Sequence, residues 1–470
     1  MLIINGLVAS EKGAREADVR IEGELICEVG ASLARRGDER VIDAAGKVIL
    51  PGGVDAHTHF DLDLGAVRAT DDFYTGTVAA ACGGTTSIVD HMAVGPRGCS
   101  IRHQVDAYHR LAEGKAVIDY GFHGVMDHVD SAILGEIREL AGEGITSHKV
   151  YLTYGGKVSD AEVLRLMEGA NGLGALVAVH AENDGAISYL REKYRQSGMT
   201  APIYHAKSRP PESEAEAVCR VAMLAAMAGD APLYIVHMSA GLSLDVVRAA
   251  RARGQRNLFA ETCPQYLLLD ESMYAREDGL KYIMSPPLRT AQDRDTLWDG
   301  VRGGGVDVIG TDHCPFFYSR EKQLGKGDFT LAPGGIPGVE ARIPLMFSEV
   351  AAGRLDMGRM VTLCCAAPAR IFGLYPKKGV IAAGSDADLA LIDPTVSAAL
   401  TFDMLHENTD YTPYEGIPLR GYPCMTISRG EVIVEDGHFS GRKGRGKFLK
   451  RGPSGEDKGT QKDKGTAPLS

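Results

Sequence analysis

The sequence is poor in the features that mark several protein classes. No apolar run approaches about 18 residues, so no segment reads as a membrane span. The opening stretch "MLIINGLVASEKGAREADVR" has no basic leader followed by a long apolar run, so it does not read as a signal peptide. The nine cysteines are odd in number and scattered, and no CxxC pair occurs among them. That pattern fits reduced thiols and a cytoplasmic location better than a disulfide framework. Positive charge is also short. The chain has 51 Lys and Arg against 62 Asp and Glu, a net charge of −11, which argues against a nucleic-acid partner. One stretch departs from this balance, "GRKGRGKFLKRGPSGEDKGTQKDKGTAPLS". It predicts a basic, partly disordered tail over 441–470, with disorder from about Gly452.

What is abundant is glycine, 57 in 470 residues, beside a hydrophobic content of 44%. This suits a compact α/β enzyme with many tight turns. The first fifty residues read as short strands between Gly turns, as in "LIINGLVAS" and "ERVIDAAGKVILPGG". The same texture returns in "GSDADLALIDP" and "MTISRGEVIVEDGHF". Together they predict one small β-sandwich domain assembled from residues 1–52 and 376–440. Between them, over 53–375, eight short apolar runs appear at 54–58, 85–90, 117–123, 147–152, 175–180, 232–237, 258–263 and 306–311. Helical segments separate most of them. Eight alternating βα units predict a (β/α)8 TIM-type barrel, with insertions expected between the sixth and eighth strands.

Most of the informative polar residues stand where these runs end, and in this fold active sites are built at the C-terminal ends of the strands. "VDAHTHF" places His57 and His59 on one face of an extended segment. "ALVAVHAEND" ends a run at His180, "PLYIVHMSA" at His237 and "VDVIGTDHCPF" at Asp312. Four histidines and an aspartate converging on one open mouth point to a metal, and imidazole nitrogens suit zinc. In "SHKVYLTYGG", alternation sets Ser147, Lys149 and Tyr151 on one face and His148, Val150 and Leu152 on the other. A lone buried ammonium costs several kcal/mol. Either Lys149 pairs with Asp312 or Glu182, or its neutral amine takes up carbon dioxide and becomes a carbamate able to bridge two metals.

The stretches "PGGVDAHTHFDLDLG", "DDFYTGTVAAACGGTTSIVDH", "KVYLTY", "VHAEND", "YIVHMS", "ETCPQYLLLD", "SPPLR", "GTDHCPF" and "GSDADLALIDP" make the chain resemble the hydantoinase and dihydropyrimidinase family of cyclic amidohydrolases. The resemblance runs from about residue 1 to about residue 450, and its wording is nearest the bacterial phenylhydantoinase branch. It implies hydrolysis of the endocyclic amide of 5-substituted hydantoins or dihydropyrimidines to N-carbamoyl amino acids. It also implies two divalent metals, zinc with manganese as the alternative. His57, His59 and Asp312 would hold one metal and His180 and His237 the other, with N6-carboxylated Lys149 between them.

The same resemblance makes Asp312 the proton carrier and Tyr154 the donor to the attacked carbonyl oxygen. Ser285 in "SPPLR" would bind the substrate imide, largely through its backbone. Where the family has an asparagine before its "GxPGxE" turn, this chain reads "APGGIPGVE", with Gly334 in that place. Leu64 and Tyr151 would meet the exocyclic substituent. The implied assembly is a homotetramer, in which the tail near Phe448 and Leu449 reaches a neighbouring subunit. A dihydroorotase is disfavoured, because Asp61 stands where that relative carries an arginine two residues after the second histidine. Allantoinase remains an alternative cyclic amidohydrolase, and a non-catalytic scaffold is the alternative from another class.

Overall fold

The structure, a computed structural model, describes residues 1–455. Residues 456–470, which include most of the stretch expected to be disordered, lie outside the described residues. Five strands open the chain: β1 (Leu2–Ser10), β2 (Gly13–Glu22), β3 (Leu25–Gly30), β4 (Val41–Asp43) and β5 (Val48–Pro51). Eight more follow: β6 (Gly53–Thr58), β7 (Thr85–His91), β8 (Asp119–Met126), β9 (Ser147–Tyr151), β10 (Leu176–His180), β11 (Leu233–Ile235), β12 (Leu258–Thr262) and β13 (Val308–Ile309). The last four are β14 (Leu389–Ala399), β15 (Pro418–Ser428), β16 (Glu431–Glu435) and β17 (His438–Phe439).

The first and last groups form one nine-stranded sheet in the order β17-β16-β15-β14-β5-β1-β2-β3, with β4 beside β1. The join is the antiparallel pair β5–β14, from Val48↔Ile392 to Pro51↔Leu389. Its strands enclose a separate core that includes Ile3, Val19, Ile26, Ile49, Leu389 and Ile427, each drawn from an alternating apolar position.

Strands β6 to β13 form an eight-stranded parallel sheet in strictly sequential order. Parallel neighbours need a crossover, and helices supply it. The sheet closes on itself where Asp312 N–H donates to His57 O at 2.9 Å and His59 N–H donates to His313 O at 2.9 Å. Arg342, fully buried, fastens the same seam by donating to Val54 O of β6 and Ile309 O of β13. Inside lie Val54, Ala56, Val89, Leu176, Ala178 and Tyr234, closed off by Phe372. No helix among the described residues is long and apolar enough to cross a membrane.

One expectation needs correction in part. The connection from β11 to β12 is a single helix, Gly241–Ala252, and therefore carries no insertion. The connection between β12 and β13 is long, as expected, and another long one lies between β10 and β11, with helices Asp184–Gln196, Ile203–Lys207 and Pro211–Met227. The tail near Phe448 is anchored on its own chain. Phe448 packs on Tyr120, Phe122 and His109 of its own chain, and Leu449 is buried with the barrel interior. Hydrogen bonds Gly446 N to Ala116 O, Leu449 N to Tyr120 O and Arg451 N to Gly144 O lace this segment across the N-terminal ends of β8 and β9. Burial of Leu449 and half-burial of Phe448 outweigh the basic character of their neighbours.

Candidate active site

Alternation along β6 and its extension brings His57 and His59 to the C-terminal mouth of the barrel, with ring centroids 5.4 Å apart. Asp312, just past β13, lies between them. Its Oδ1 is 3.1 Å from His57 Nε2 and 3.1 Å from His59 Nε2. His180 ends β10 and His237 follows β11, and their ring centroids are 4.5 Å apart. The His237 and His57 rings are 5.3 Å apart, so all four imidazoles form one cluster. One ligand atom from each of His57, His237 and Asp312 lies within 4.8 Å of the others.

Lys149 enters the cluster from β9, paired in register with Ala178 of β10 and Val125 of β8. The face reading holds: Ser147, two residues earlier, turns inward to His123 Nδ1 at 2.6 Å. Lys149 is fully buried, and its Nζ has no hydrogen-bond partner among the described residues. Its Nζ lies over the Tyr151 ring, with the centroid 5.1 Å away. Burial lowers its pKa from 10.5 to about 8, although Asp312 and Glu261 pull the other way. The pairings with Asp312 or Glu182 that the sequence left open are not made. Glu182 instead binds His180 Nε2 at 2.7 Å and the guanidinium of Arg209. Burial alone would raise the Glu182 carboxyl, but Arg209 and His180 hold it at about 2.

A cavity of about 690 Å³ opens above these groups. Its wall carries Lys149, His180, His237 and Asp312, and also Tyr151, Tyr154, Ser285, Gly334 and Leu64. His57 lies beneath it, wholly buried. Tyr154, His237 and Asp312 hold positive φ values of 71°, 38° and 55°, a region that non-glycine residues seldom occupy. Such strain, concentrated at one mouth, is a mark of a functional site. The Tyr154 ring stands 5.2 Å from His180 and 5.3 Å from the Arg209 guanidinium carbon.

The donor set fits divalent metal. His57 Nε2, His237 Nδ1 and Lys149 Nζ are buried and make no hydrogen bond among the described residues, and coordination would satisfy them. His180 gives Nε2 to Glu182, which leaves Nδ1 for a metal.

A sequence model of the family described as "Amidohydrolase family" matches residues 48–433. The chain belongs to the amidohydrolase family. This amidohydrolase is 51% identical to a D-phenylhydantoinase of Escherichia coli O1:K1 over 454 residues, 96% of this chain and 98% of that protein. The same figures hold for a D-phenylhydantoinase of Escherichia coli O127:H6. Among solved structures it is similar to the dihydropyrimidinase of Brevibacillus agri NCHU1002, with a TM-score of 0.94 and 42% identity, covering 96% of this chain and 99% of that one. It also resembles the L-hydantoinase of Arthrobacter aurescens, with a TM-score of 0.89 and 29% identity at the same coverage.

Three residues of this amidohydrolase site escaped the sequence reading. His91 ends β7 against His57 and His59, at 4.4 Å and 5.0 Å between centroids, and both its ring nitrogens lack partners among the described residues. With His57 and His59 it makes a second group whose ligand atoms lie within 4.8 Å of each other. The same strand-end criterion finds it once β7 is extended by one residue past the predicted end. Glu261 holds His57 from behind, and Arg209 holds Glu182; both act through another side chain, and no linear motif announces that. Burial opposes a charged His57, but Glu261 and Asp312 outweigh it and raise its pKa to about 9. Burial likewise pushes the Asp312 carboxyl up, yet His57 and His59 hold it well below the ordinary carboxylate range.

Proposed function

We propose that this amidohydrolase opens cyclic ureides. It hydrolyses the endocyclic amide of 5-substituted hydantoins or dihydropyrimidines to N-carbamoyl amino acids. The observation that carries this reading is the convergence of His57, His59, Lys149, His180, His237 and Asp312 on one barrel mouth, in a chain half identical to D-phenylhydantoinases.

In this reading residues 53–375 form the catalytic barrel, residues 1–52 and 376–440 the small β domain, and 441–470 a tail. His57, His59 and Asp312 would hold one divalent ion and His180 and His237 the other, with Lys149, carboxylated by carbon dioxide, as a further ligand. Zinc is the metal the imidazoles favour, with manganese as the alternative. Two such ions, when bound, would supply a water acidic enough to attack at neutral pH and Lewis acidity for the carbonyl.

The chain's own groups do the rest. Asp312 accepts the proton of the attacking water and hands it to the ring nitrogen as the C–N bond breaks. Tyr154 donates its hydroxyl hydrogen to the oxyanion that forms on the carbonyl oxygen. The peptide groups at Ser285 and Gly334 pair with the ring imide, and Leu64 and Tyr151 meet the 5-substituent. The ureido group stays intact. The new carboxylic acid ionises and releases one proton per turnover. A cytoplasmic homotetramer is the assembly we assign to it.

A pH-drop assay on metal-loaded protein tests this with hydantoin, 5-phenylhydantoin, dihydrouracil, allantoin and dihydroorotate. Acidification with the first three is expected. Turnover of allantoin alone would make the protein an allantoinase. No turnover, with little zinc or manganese in the purified protein, would make it a scaffold.

A further inference from the structure

Lys322 is a second fully buried lysine, and nothing in the reaction above uses it. It sits in the short 3-10 helix Glu321–Gly325, behind the cavity wall and not on it. Among the described residues it has no ion pair with a carboxylate. Its Nζ donates to two backbone carbonyls, Ile283 O at 2.6 Å and Pro333 O at 2.9 Å. Burial brings its pKa down from 10.5 to about 7. A methionine would fill similar space without the cost of burying an amine. What a methionine lacks is the means to tie two carbonyls from separate segments to one point.

Those two segments are the ones that face the substrate. Ile283 is two residues before Ser285, and Pro333 is one before Gly334. Gly335 N–H closes the same junction by donating to Ile283 O at 3.1 Å. A Cβ built on Gly334 would stand 3.5 Å from Ser285 Oγ, so the two residues face each other across the wall. The flanking carbonyls are occupied: Ile283 O and Pro333 O by Lys322, Met284 O by His205 Nε2 at 2.7 Å, and Pro286 O by the Tyr266 hydroxyl at 2.7 Å. The backbone N–H and C=O groups of Ser285 and Gly334 make no hydrogen bond among the described residues. They therefore form an edge of donors and acceptors held open toward the cavity, suited to a cis-amide or imide ring edge.

We propose that Lys322 is a positioning residue for substrate. By drawing Ile283 O and Pro333 O to one ammonium or amine, it sets the spacing of the Ser285 and Gly334 peptide groups that grip the ring. This rests on the reading of the site as a cyclic-ureide hydrolase.

Steady-state kinetics of metal-loaded, full-length Lys322→Met and Lys322→Gln on a ureide that the wild type opens test it, with metal content measured alongside. The expected result for Lys322→Met is a KM raised about tenfold or more with kcat within about threefold of wild type and both metals retained. Lys322→Gln keeps two N–H donors without the charge, and its KM is expected between the two. If the Met variant does not fold, the Gln variant decides: a raised KM with kcat and metals kept supports the inference. An unchanged KM in a folded variant overturns it. So does a fall in kcat that tracks metal loss, which would reduce Lys322 to a general structural role. If the wild type opens no cyclic ureide, the reading of the site falls first and takes this inference with it, whatever the variants do.

Discussion

The carboxylate of Glu261 lies 2.5 Å from Nδ1 of His57, and both side chains are wholly buried. The same carboxylate accepts the backbone N–H of His237 at 2.8 Å and the Tyr234 hydroxyl at 2.8 Å. One side chain on β12 thus orients two candidate metal ligands, His57 and His237. A histidine whose far nitrogen is held by a carboxylate presents its other nitrogen in a fixed direction and with raised basicity. Glu261→Gln keeps the shape and loses the charge. It is expected to weaken metal binding about 10–100-fold. Chelator competition on the purified variant checks this, and wild-type affinity would show that Glu261 only fills space.

Lys149 carries a pH dependence. Carbamate formation consumes the neutral amine, and a pKa lowered to about 8 makes that form grow as pH rises through 8. Reactivation of metal-stripped protein by zinc, at fixed dissolved carbon dioxide, is expected to speed up about tenfold from pH 7 to pH 9. Lys149→Arg keeps a cation there at every pH. It is expected to show no reactivation and to hold at most one metal per chain, measured by metal analysis.

Gly334 has room for a side chain. It is not in the left-handed region, and the nearest atom to a built Cβ is 3.5 Å away, an ordinary contact. Gly334→Asn is therefore expected to fold normally and to lower KM for 5-phenylhydantoin by about threefold to tenfold, the worth of one added hydrogen bond. A KM that stays put would mean that the backbone alone carries the contact.

Leu64 projects from the loop after β6 at the cavity rim and is 51% exposed. Leu64→Ala is expected to shift the ratio of kcat/KM between 5-phenyl- and 5-methylhydantoin by about tenfold, the low end of what apolar contacts discriminate. A constant ratio across a series of 5-substituents would remove Leu64 from the list of specificity residues.

The barrel and its ligand candidates were legible because both obey period two. A buried strand that ends in His or Asp names the residue that faces the mouth, and Lys149 stood out because alternation turned a cation inward. The supports were not legible for the same reason. Glu261 matters because β12 brings it behind His57, more than two hundred positions away in sequence, and alternation along one strand carries no information about the next. Lys322 reaches its carbonyls from a single short 3-10 turn, too brief for a burial period to show in the sequence. The long connection after β10 was missed because its three helices carry ordinary amphipathic patterns, which read as one crossover or several.

The paired strands β5 and β14 are separated by roughly 340 residues of chain. At the usual pace of a ribosome, about 5–20 residues per second, β5 waits some 20–70 s for its partner. During that interval the emerging chain holds an apolar half-sheet with an open edge, the kind of surface that recruits wrong neighbours. The segment that seals the barrel floor, Gly446 to Arg451, arrives later still. Completion of the small domain's sheet is therefore paced from the far end of the chain.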